Sequence, residues 1–221
     1  MKKSVSRADI SFEDMTVSSF ISLFFAMVLL AALPSTSVLT VVARSLSAGF
    51  WHGSVTALGI VVGDIVFILL AVYGLSAIAT TSAGVFTAVK CVGGAYLITL
   101  GLALWRAKTT TMEVERVEKS SWISSFLSGL LITLGDQKAV LFYIGFFPAF
   151  VDLSTLTITD TGLIIGIAIA AVGGVKIAYA YLSGKAKRLL QNPKAHKLIN
   201  RAAGSAMIFT GLYLIGTVVR N

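Results

Sequence analysis

Residues 17–46 read VSSFISLFFAMVLLAALPSTSVLTVVARSL, and this stretch decides the fold. It is too apolar for a soluble surface helix. Its only charged residue is Arg44, near the end, and Pro34 lies close to the middle. About 30 residues of helix would run roughly 45 Å, against a hydrocarbon core of about 30 Å, so the span must tilt strongly or break. Pro34 sets the place of the break. Proline has no amide proton and disfavours helix at Leu33, which stops the first half-helix and leaves carbonyls unpaired. Ser35, Thr36 and Ser37 then offer hydroxyls that can cap a second half-helix beginning near Val38. Free amides at that start form a site for a carboxylate.

The rest of the chain extends this reading. Of 221 residues, 56% are hydrophobic and only 13% charged, with a mean hydropathy of +0.88, a composition that a soluble core of this size does not have. Apolar runs and breakers predict an all-α integral membrane protein with six transmembrane helices: Val17–Leu46, Val55–Ile78, Ser82–Trp105, Trp122–Val151, Gly162–Leu182 and Leu198–Val219. Residues 1–16 form an N-terminal tail, and residues 17–221 a single membrane domain with halves at 17–105 and 122–219. Glu13 and Asp14 directly before the first apolar run, with no clean small-x-small cleavage site after it, argue for a retained helix over a secretory signal.

The fourth span repeats the features of the first. It too is about 30 residues long, and Gly135-Asp136 lies where Pro34 lies when Ile21 is aligned with Ile123. That offset also pairs Ser22 with Ser124, Phe24 with Phe126, Leu29 with Leu131, Val38 with Val140 and Leu39 with Leu141. Gly94 and Gly101 in the third span share their spacing with Gly204 and Gly211 in the sixth, and each second glycine precedes a leucine. Three spans per half is an odd number, so related halves must be inverted in the membrane, with helices 1 and 4 broken. Inverted repeats with matching breaks point to a site at the midplane. Gly135 can take a left-handed cap and Asp136 is a good N-cap for the following half-helix, its carboxylate alternatively meeting an ammonium or a proton, with Gln137 and Lys138 as donors beside it.

Asp64, Lys90, Asp136, Lys138 and Lys176 all fall inside apolar stretches. Each would cost about 2.5 to 3.5 kcal/mol at a helix centre facing lipid, so they should face one another or a wet cavity. Asp64 follows Gly59-x-x-x-Gly63, whose small residues allow close helix approach and bring the acid to a helix contact. Lys90 and Lys176 are candidate contact or gating residues. The plain structural alternative is a salt bridge from Asp64 to Lys90 or Lys176, with Asp136 and Lys138 satisfying each other as caps and Pro34 a mere kink.

Charge also predicts orientation. Eleven basic residues (Arg44, Arg106, Lys108, Arg116, Lys119, Lys185, Lys187, Arg188, Lys194, Lys197, Arg201) follow spans one, three and five, whereas the other side has four, Lys2, Lys3, Arg7 and Arg220. The positive-inside rule then places both termini on the non-cytoplasmic side. Trp51, Trp105, Trp122, Tyr179 and Tyr181 fall near the basic side, as an aromatic belt would. The net charge of +8 is thus a topology signal with anionic lipid as partner, and no nucleic-acid binding is expected. The lone cysteine, Cys91, forms no internal disulfide, and His52 and His196 have no metal-ligand spacing, so no metal or other cofactor is expected.

Several motifs together are similar to those of the lysine-exporter (LysE/RhtB) family of amino-acid efflux proteins. They are Ala32-Leu33-Pro34-Ser35-Thr36-Ser37-Val38-Leu39, Arg44-Ser45-Leu46-x-x-Gly49, Ala57-Leu58-Gly59-x-x-x-Gly63-Asp64, Lys90-x-x-Gly93-Gly94-Ala95-Tyr96-Leu97, Lys138-Ala139-x-Leu141-Phe142 and Phe147-Pro148-x-Phe150-Val151. The likeness covers nearly all the chain after residue 17. It departs in two places: the family usually has Pro-Gly-Pro where this chain has Pro34-Ser35-Thr36, and Asn-Pro-Lys where it has Asp136-Gln137-Lys138. Asn192-Pro193-Lys194 lies in the basic loop before the sixth span and does not restore the second motif.

The resemblance implies a secondary exporter in the cell (inner) membrane and no enzyme activity. Its solute would be a small amino acid or amine, its driving ion the proton, and a homo-oligomer is possible. The added acid at position 136 suits a cationic group. Pro34, Ser35, Thr36, Ser37, Asp64, Gly135, Asp136, Gln137 and Lys138 are the expected solute-binding residues. Two Gly-Asp pairs, Gly63-Asp64 and Gly135-Asp136, suggest the alternative of a divalent-cation exporter, since carboxylates with hydroxyl and carbonyl oxygens suit a hard ion. Lys138 argues against it. A membrane thiol oxidoreductase would need a second cysteine, and a non-transporting scaffold would leave the buried charges unexplained.

Overall fold

The computed structural model describes residues 17–81, 83–107, 121–136, 142–145, 147, 151, 156–190 and 192–220, and every regular element among them is helical. In chain order these are α1 (Val17–Ala31), α2 (Thr36–Ala48), α3 (Phe50–Thr81), α4 (Ala83–Arg106), α5 (Trp122–Leu134), α6 (Ile158–Tyr181), α7 (Ser183–Leu190) and α8 (Pro193–Arg220). A short helical segment at 142–145 stands between α5 and α6. Four of the helices, α3, α4, α6 and α8, are each long and apolar enough to cross a membrane. Counting the bent pair α1 and α2 as one span makes five.

The break in the first span has a direct chemical cause. With no N–H on Pro34, the Leu30 carbonyl takes the Leu33 amide at 3.0 Å, which tightens the last turn of α1. The helix stops and the chain restarts as α2, bent by 64°. α2 ends where Gly49 adopts φ +94, a left-handed conformation open to glycine at little cost, and the Gly49 amide bonds the Ser45 carbonyl at 3.0 Å. α3 begins at the next residue.

α3 is the central strut. Its 32 residues would extend about 48 Å. Phe67, Ile68, Ala71, Val72 and Leu75 pack into a core with Leu23 and Met27 of α1 and with Ile164, Ala168 and Ala171 of α6. Against α5 the contact is backbone to backbone. A Cβ at Gly59 would run into the Phe126 carbonyl, and one at Gly129 into the Thr56 carbonyl. Small residues permit such an approach, which lets van der Waals packing hold helices where lipid offers no hydrophobic drive.

α4 and α8 make a second close pair. Gly94 lies against the Gly211 carbonyl and Gly101 against the Gly204 carbonyl, with the reverse contacts also made. The order of these pairs shows that the two helices cross antiparallel. Trp105 adds hydrogen bonds from its indole nitrogen to the Arg201 carbonyl at 3.0 Å and the Ser205 hydroxyl at 3.2 Å.

Some expectations are corrected. α3 and α8 start about five residues before their expected first residues, and for α8 the reason is local: Asn192 Oδ1 accepts the Lys194 amide at 3.0 Å, and Pro193 takes the first helical position. Asn192-Pro193-Lys194 is therefore a helix start. Residues 183–190, read as basic loop, form α7, with Lys185, Lys187 and Arg188 along it. α5 is only 13 residues, about 20 Å, and too short to cross alone. The rest of the expected fourth span lies mostly outside the described residues. Gly135 ends α5 at φ −79, in the right-handed region, so the left-handed cap does not form. α6 contains a π-turn at Ile169–Gly173 that no sequence pattern announced.

Candidate functional site

The break between α1 and α2 opens into a cavity of about 140 Å³. That is close to the roughly 150 Å³ of an engineered apolar cavity known to admit one benzene. Its walls come from five helices and the segment at 142–145. Ala31 ends α1, Ser35, Thr36 and Ser37 open α2, Ile60 and Asp64 come from α3, and Thr133 and Asp136 from the end of α5. Tyr143 and Phe142 close one side, and Val172 and Lys176 of α6 another.

Lys176 is only 3% exposed and holds the break directly. Its ammonium donates to the Ala31 carbonyl at 3.1 Å and to the Ser37 hydroxyl at 3.0 Å. One helical turn on, the Tyr179 hydroxyl donates to the Ala32 carbonyl at 2.8 Å. The Ala31 and Ala32 carbonyls, left open where α1 ends, are thus satisfied by side chains of α6, and a cation stands at the negative end of α1. The sequence places Tyr179 in an interfacial belt. The structure sends its hydroxyl inward instead, while Trp51, Trp105, Trp122 and Tyr181 remain exposed.

On the opposite side of the break, α2 presents its first amides. Ser35 is the N-cap residue at φ −139 and ψ 168, yet its hydroxyl makes no capping bond and pairs with the Ser37 hydroxyl at 3.0 Å. The first-turn donors of α2 therefore keep the partial positive charge of a helix start, beside the cavity.

Asp64 is 9% exposed and lines the same cavity. Tyr143 hydrogen-bonds its carboxylate, and Lys176 and Asp136 line the cavity with it. The place of Asp64 on α3 follows from Gly63, which lets the Thr133 side chain approach to 2.8 Å of where a Cβ would be. Counting ionised side chains, the lining holds Asp64 and Asp136 against Lys176, a formal charge of −1. Such a pocket favours a positively charged group near the acids and tolerates an anionic one only at the amides of α2.

Of the residues singled out in the sequence, Ser35, Thr36, Ser37, Asp64, Asp136 and Lys176 meet at this cavity. Pro34 creates it, and Gly59 and Gly63 set the α3–α5 contact beside it. Lys90 stands half-buried on α4 and is not among the lining residues. Gly135 is exposed at the end of α5 and likewise contributes no wall. Gln137 and Lys138 lie outside the described residues. Sequence reasoning misses Thr133, Tyr143 and Tyr179. Thr133 carries a faint signal as a lone hydroxyl in an apolar run four residues after Gly129, whose carbonyl it bonds at 3.1 Å.

A second polar cluster joins α2 and α3 to the start of α5. Arg44 donates to the Ser128 hydroxyl at 2.8 Å, and His52 Nδ1 and the Ser125 hydroxyl are 3.0 Å apart. His52 also stacks on Trp122 with ring centres 4.4 Å apart.

The bond from Tyr143 to Asp64 can be tested alone. Tyr143→Phe keeps the ring and its stacking on Phe147 and removes only the donor. Stability should fall by about 1 kcal/mol, and any activity that depends on Asp64 by about three- to tenfold. Unchanged values in both thermal unfolding and transport would show that this bond does not matter.

Known proteins resemble the chain along most of its length. A family model described as LysE type translocator matches residues 28–217. A membrane protein of Synechocystis sp. (PCC 6803) without assigned function is 47% identical over 198 residues, covering 90% of this chain and 96% of that one. A leucine efflux protein of Klebsiella pneumoniae is 25% identical over 90% of this chain and 95% of its own length. One from Enterobacter sp. (strain 638) is 28% identical over 80% and 85%. No solved structure matches.

Proposed function

Given that the chain belongs to the LysE type translocator family, we propose that it is a secondary exporter of a small amino acid or related amine across the cell (inner) membrane, with proton entry driving efflux. One observation carries the reading. A single cavity at a broken helix joins uncapped amides, which suit a carboxylate, to Asp64 and Asp136, which suit an ammonium. These are the two charged ends of an amino acid. The names of the Klebsiella and Enterobacter relatives make leucine the first solute to try.

The solute carboxylate would meet the amides of Thr36 and Ser37, and its ammonium would meet Asp64 or Asp136. Gln137 and Lys138, which follow Asp136 directly in the sequence, would be further donors to the solute. Pro34 and Gly135 act through the backbone, by ending helices there. Lys90 is kept as a gating candidate on α4, away from the solute. Protons are the proposed coupling ion because carboxylates within the membrane are suited to carry them.

We further read the chain as six spans in two inverted halves, with both termini outside the cytoplasm. The reciprocal contacts of Gly94 with Gly211 and Gly101 with Gly204 support this, because a two-fold axis in the membrane plane would exchange one pair for the other. The excess of basic residues after spans one, three and five supports the orientation and the association with anionic lipid.

A divalent cation is the second reading, since Asp64 and Asp136 do share one cavity. It is disfavoured because Lys176 places an ammonium among the same walls, and because the described residues include no group of three His, Cys, Asp or Glu able to hold a metal. Untargeted measurement of solutes outside overexpressing bacteria separates the two. A small amino acid or amine should accumulate above the vector control. Resistance to manganese or cadmium with no such accumulation would favour the metal.

A further inference from the structure

Where a membrane helix is broken, the carbonyls at the end of its first half commonly coordinate a dissolved cation, because they carry the negative end of the helix dipole. Here that position is filled from within. The Lys176 ammonium meets the Ala31 carbonyl at 3.1 Å and the Ser37 hydroxyl at 3.0 Å, and it is almost fully buried. We propose that the end of α1 and Ser37 form a monovalent-cation pocket whose occupant is the protein's own Lys176, a tethered ion in the place of a dissolved one.

Three further features fit. The next carbonyl, that of Ala32, is taken by a neutral hydroxyl from Tyr179, so the positive charge is directed to one point. Ser35 braces Ser37 through a hydroxyl contact of 3.0 Å, which holds the second ligand in place. Asp64 and Asp136 face the same cavity and supply a negative potential around the pocket. Oxygen ligands together with that potential suit a small monovalent cation or a primary ammonium. They do not require that the cation be covalently attached.

The consequence is that shortening residue 176 should unmask the pocket. In Lys176→Ala the carbonyl, the hydroxyl and the nearby acids remain, while the cation and its stem are gone. Wild type should unfold at the same temperature in sodium, methylammonium or choline chloride, since its pocket is filled. Lys176→Ala should melt about 5 °C lower in choline, which is too large to enter. Sodium or methylammonium should recover at least half of that loss. Lys176→Met keeps the stem without the charge, fills the space, and should show no such recovery.

Purified full-length protein in lipid nanodiscs, melted in each salt at matched ionic strength, decides the matter. Recovery of Lys176→Ala by either small cation, and not by choline, supports the pocket. Equal melting of Lys176→Ala in all three salts overturns it, as does a Lys176→Ala variant as stable in choline as wild type. If Lys176→Ala yields no folded protein, Ser37→Ala gives the answer. Losing one ligand of the tethered ammonium should lower the melting temperature by a few degrees, and an unchanged value overturns the proposal. The cation pocket adjoins the proposed solute site, but this measurement needs no transported solute, so the two readings can fail separately.

Discussion

Asp64→Asn is expected to cut solute counterflow in proteoliposomes by at least about thirtyfold, because a desolvated charged group facing an ammonium is worth roughly 2–5 kcal/mol when its partner is lost. Asparagine keeps the size of the side chain and can still accept from Tyr143. It loses the negative charge, leaving the cavity lining at a formal charge of 0 in place of −1. The fold should tolerate the change, since the Lys176 ammonium keeps its hydrogen bonds to Ala31 and Ser37. A folded, monodisperse Asp64→Asn protein with wild-type counterflow would remove Asp64 from the site. Asp136→Asn provides the companion measurement at the α5 wall of the cavity.

The second large effect is on stability. Gly129→Leu should abolish the folded protein, whereas Gly166→Ala should leave it intact. Any Cβ at Gly129 runs into the Thr56 carbonyl and lies 3.0 Å from the Ile60 amide, both backbone atoms of α3 that have no rotamer to change. Overpacking of this kind costs about 1–3 kcal/mol where side chains can shift, and the cost rises where only backbone can yield. At Gly166 on α6 an added methyl would meet nothing within 4 Å, and replacing a helical glycine by alanine is worth up to about 1 kcal/mol in helix propensity. Size-exclusion profiles and melting temperatures of the two variants check the contrast. A monodisperse Gly129→Leu protein with the wild-type melting temperature would mean that α3 and α5 are not in backbone contact.

Much of this is legible in the amino-acid sequence, for reasons that differ from element to element. The apolar runs of α3, α4, α6 and α8 exceed anything a soluble core requires, and the break at Pro34 follows from one missing amide proton. The glycine spacing in α4 and α8 is legible as a pattern, although only the fold shows that the two sets face each other. The cavity is legible through its charges, because ions kept from lipid must converge somewhere. Its neutral polar walls are not. Tyr143 reaches Asp64, and Tyr179 reaches Ala32, only because α6 and the segment after α5 come back to the break, and no local pattern encodes such a return. Gly135 departs from expectation for a related reason. Glycine permits a left-handed cap without compelling one, and here a right-handed turn carries the Asp136 amide to the Thr133 carbonyl at 3.0 Å. Lys90 joins the expected site on hydropathy alone, which says that a charge avoids lipid and nothing about where it goes.

The central claim, that polar groups at the break of α1 line a water-filled pocket within the membrane, is tested most directly by thiol accessibility. In a Cys91→Ser background, Ser37→Cys places a single thiol at the cavity wall, and Leu23→Cys places one in the fully buried core. A water-soluble methanethiosulfonate reagent should label Ser37→Cys in native membranes and spare Leu23→Cys. Equal resistance of both thiols to the reagent would contradict the claim.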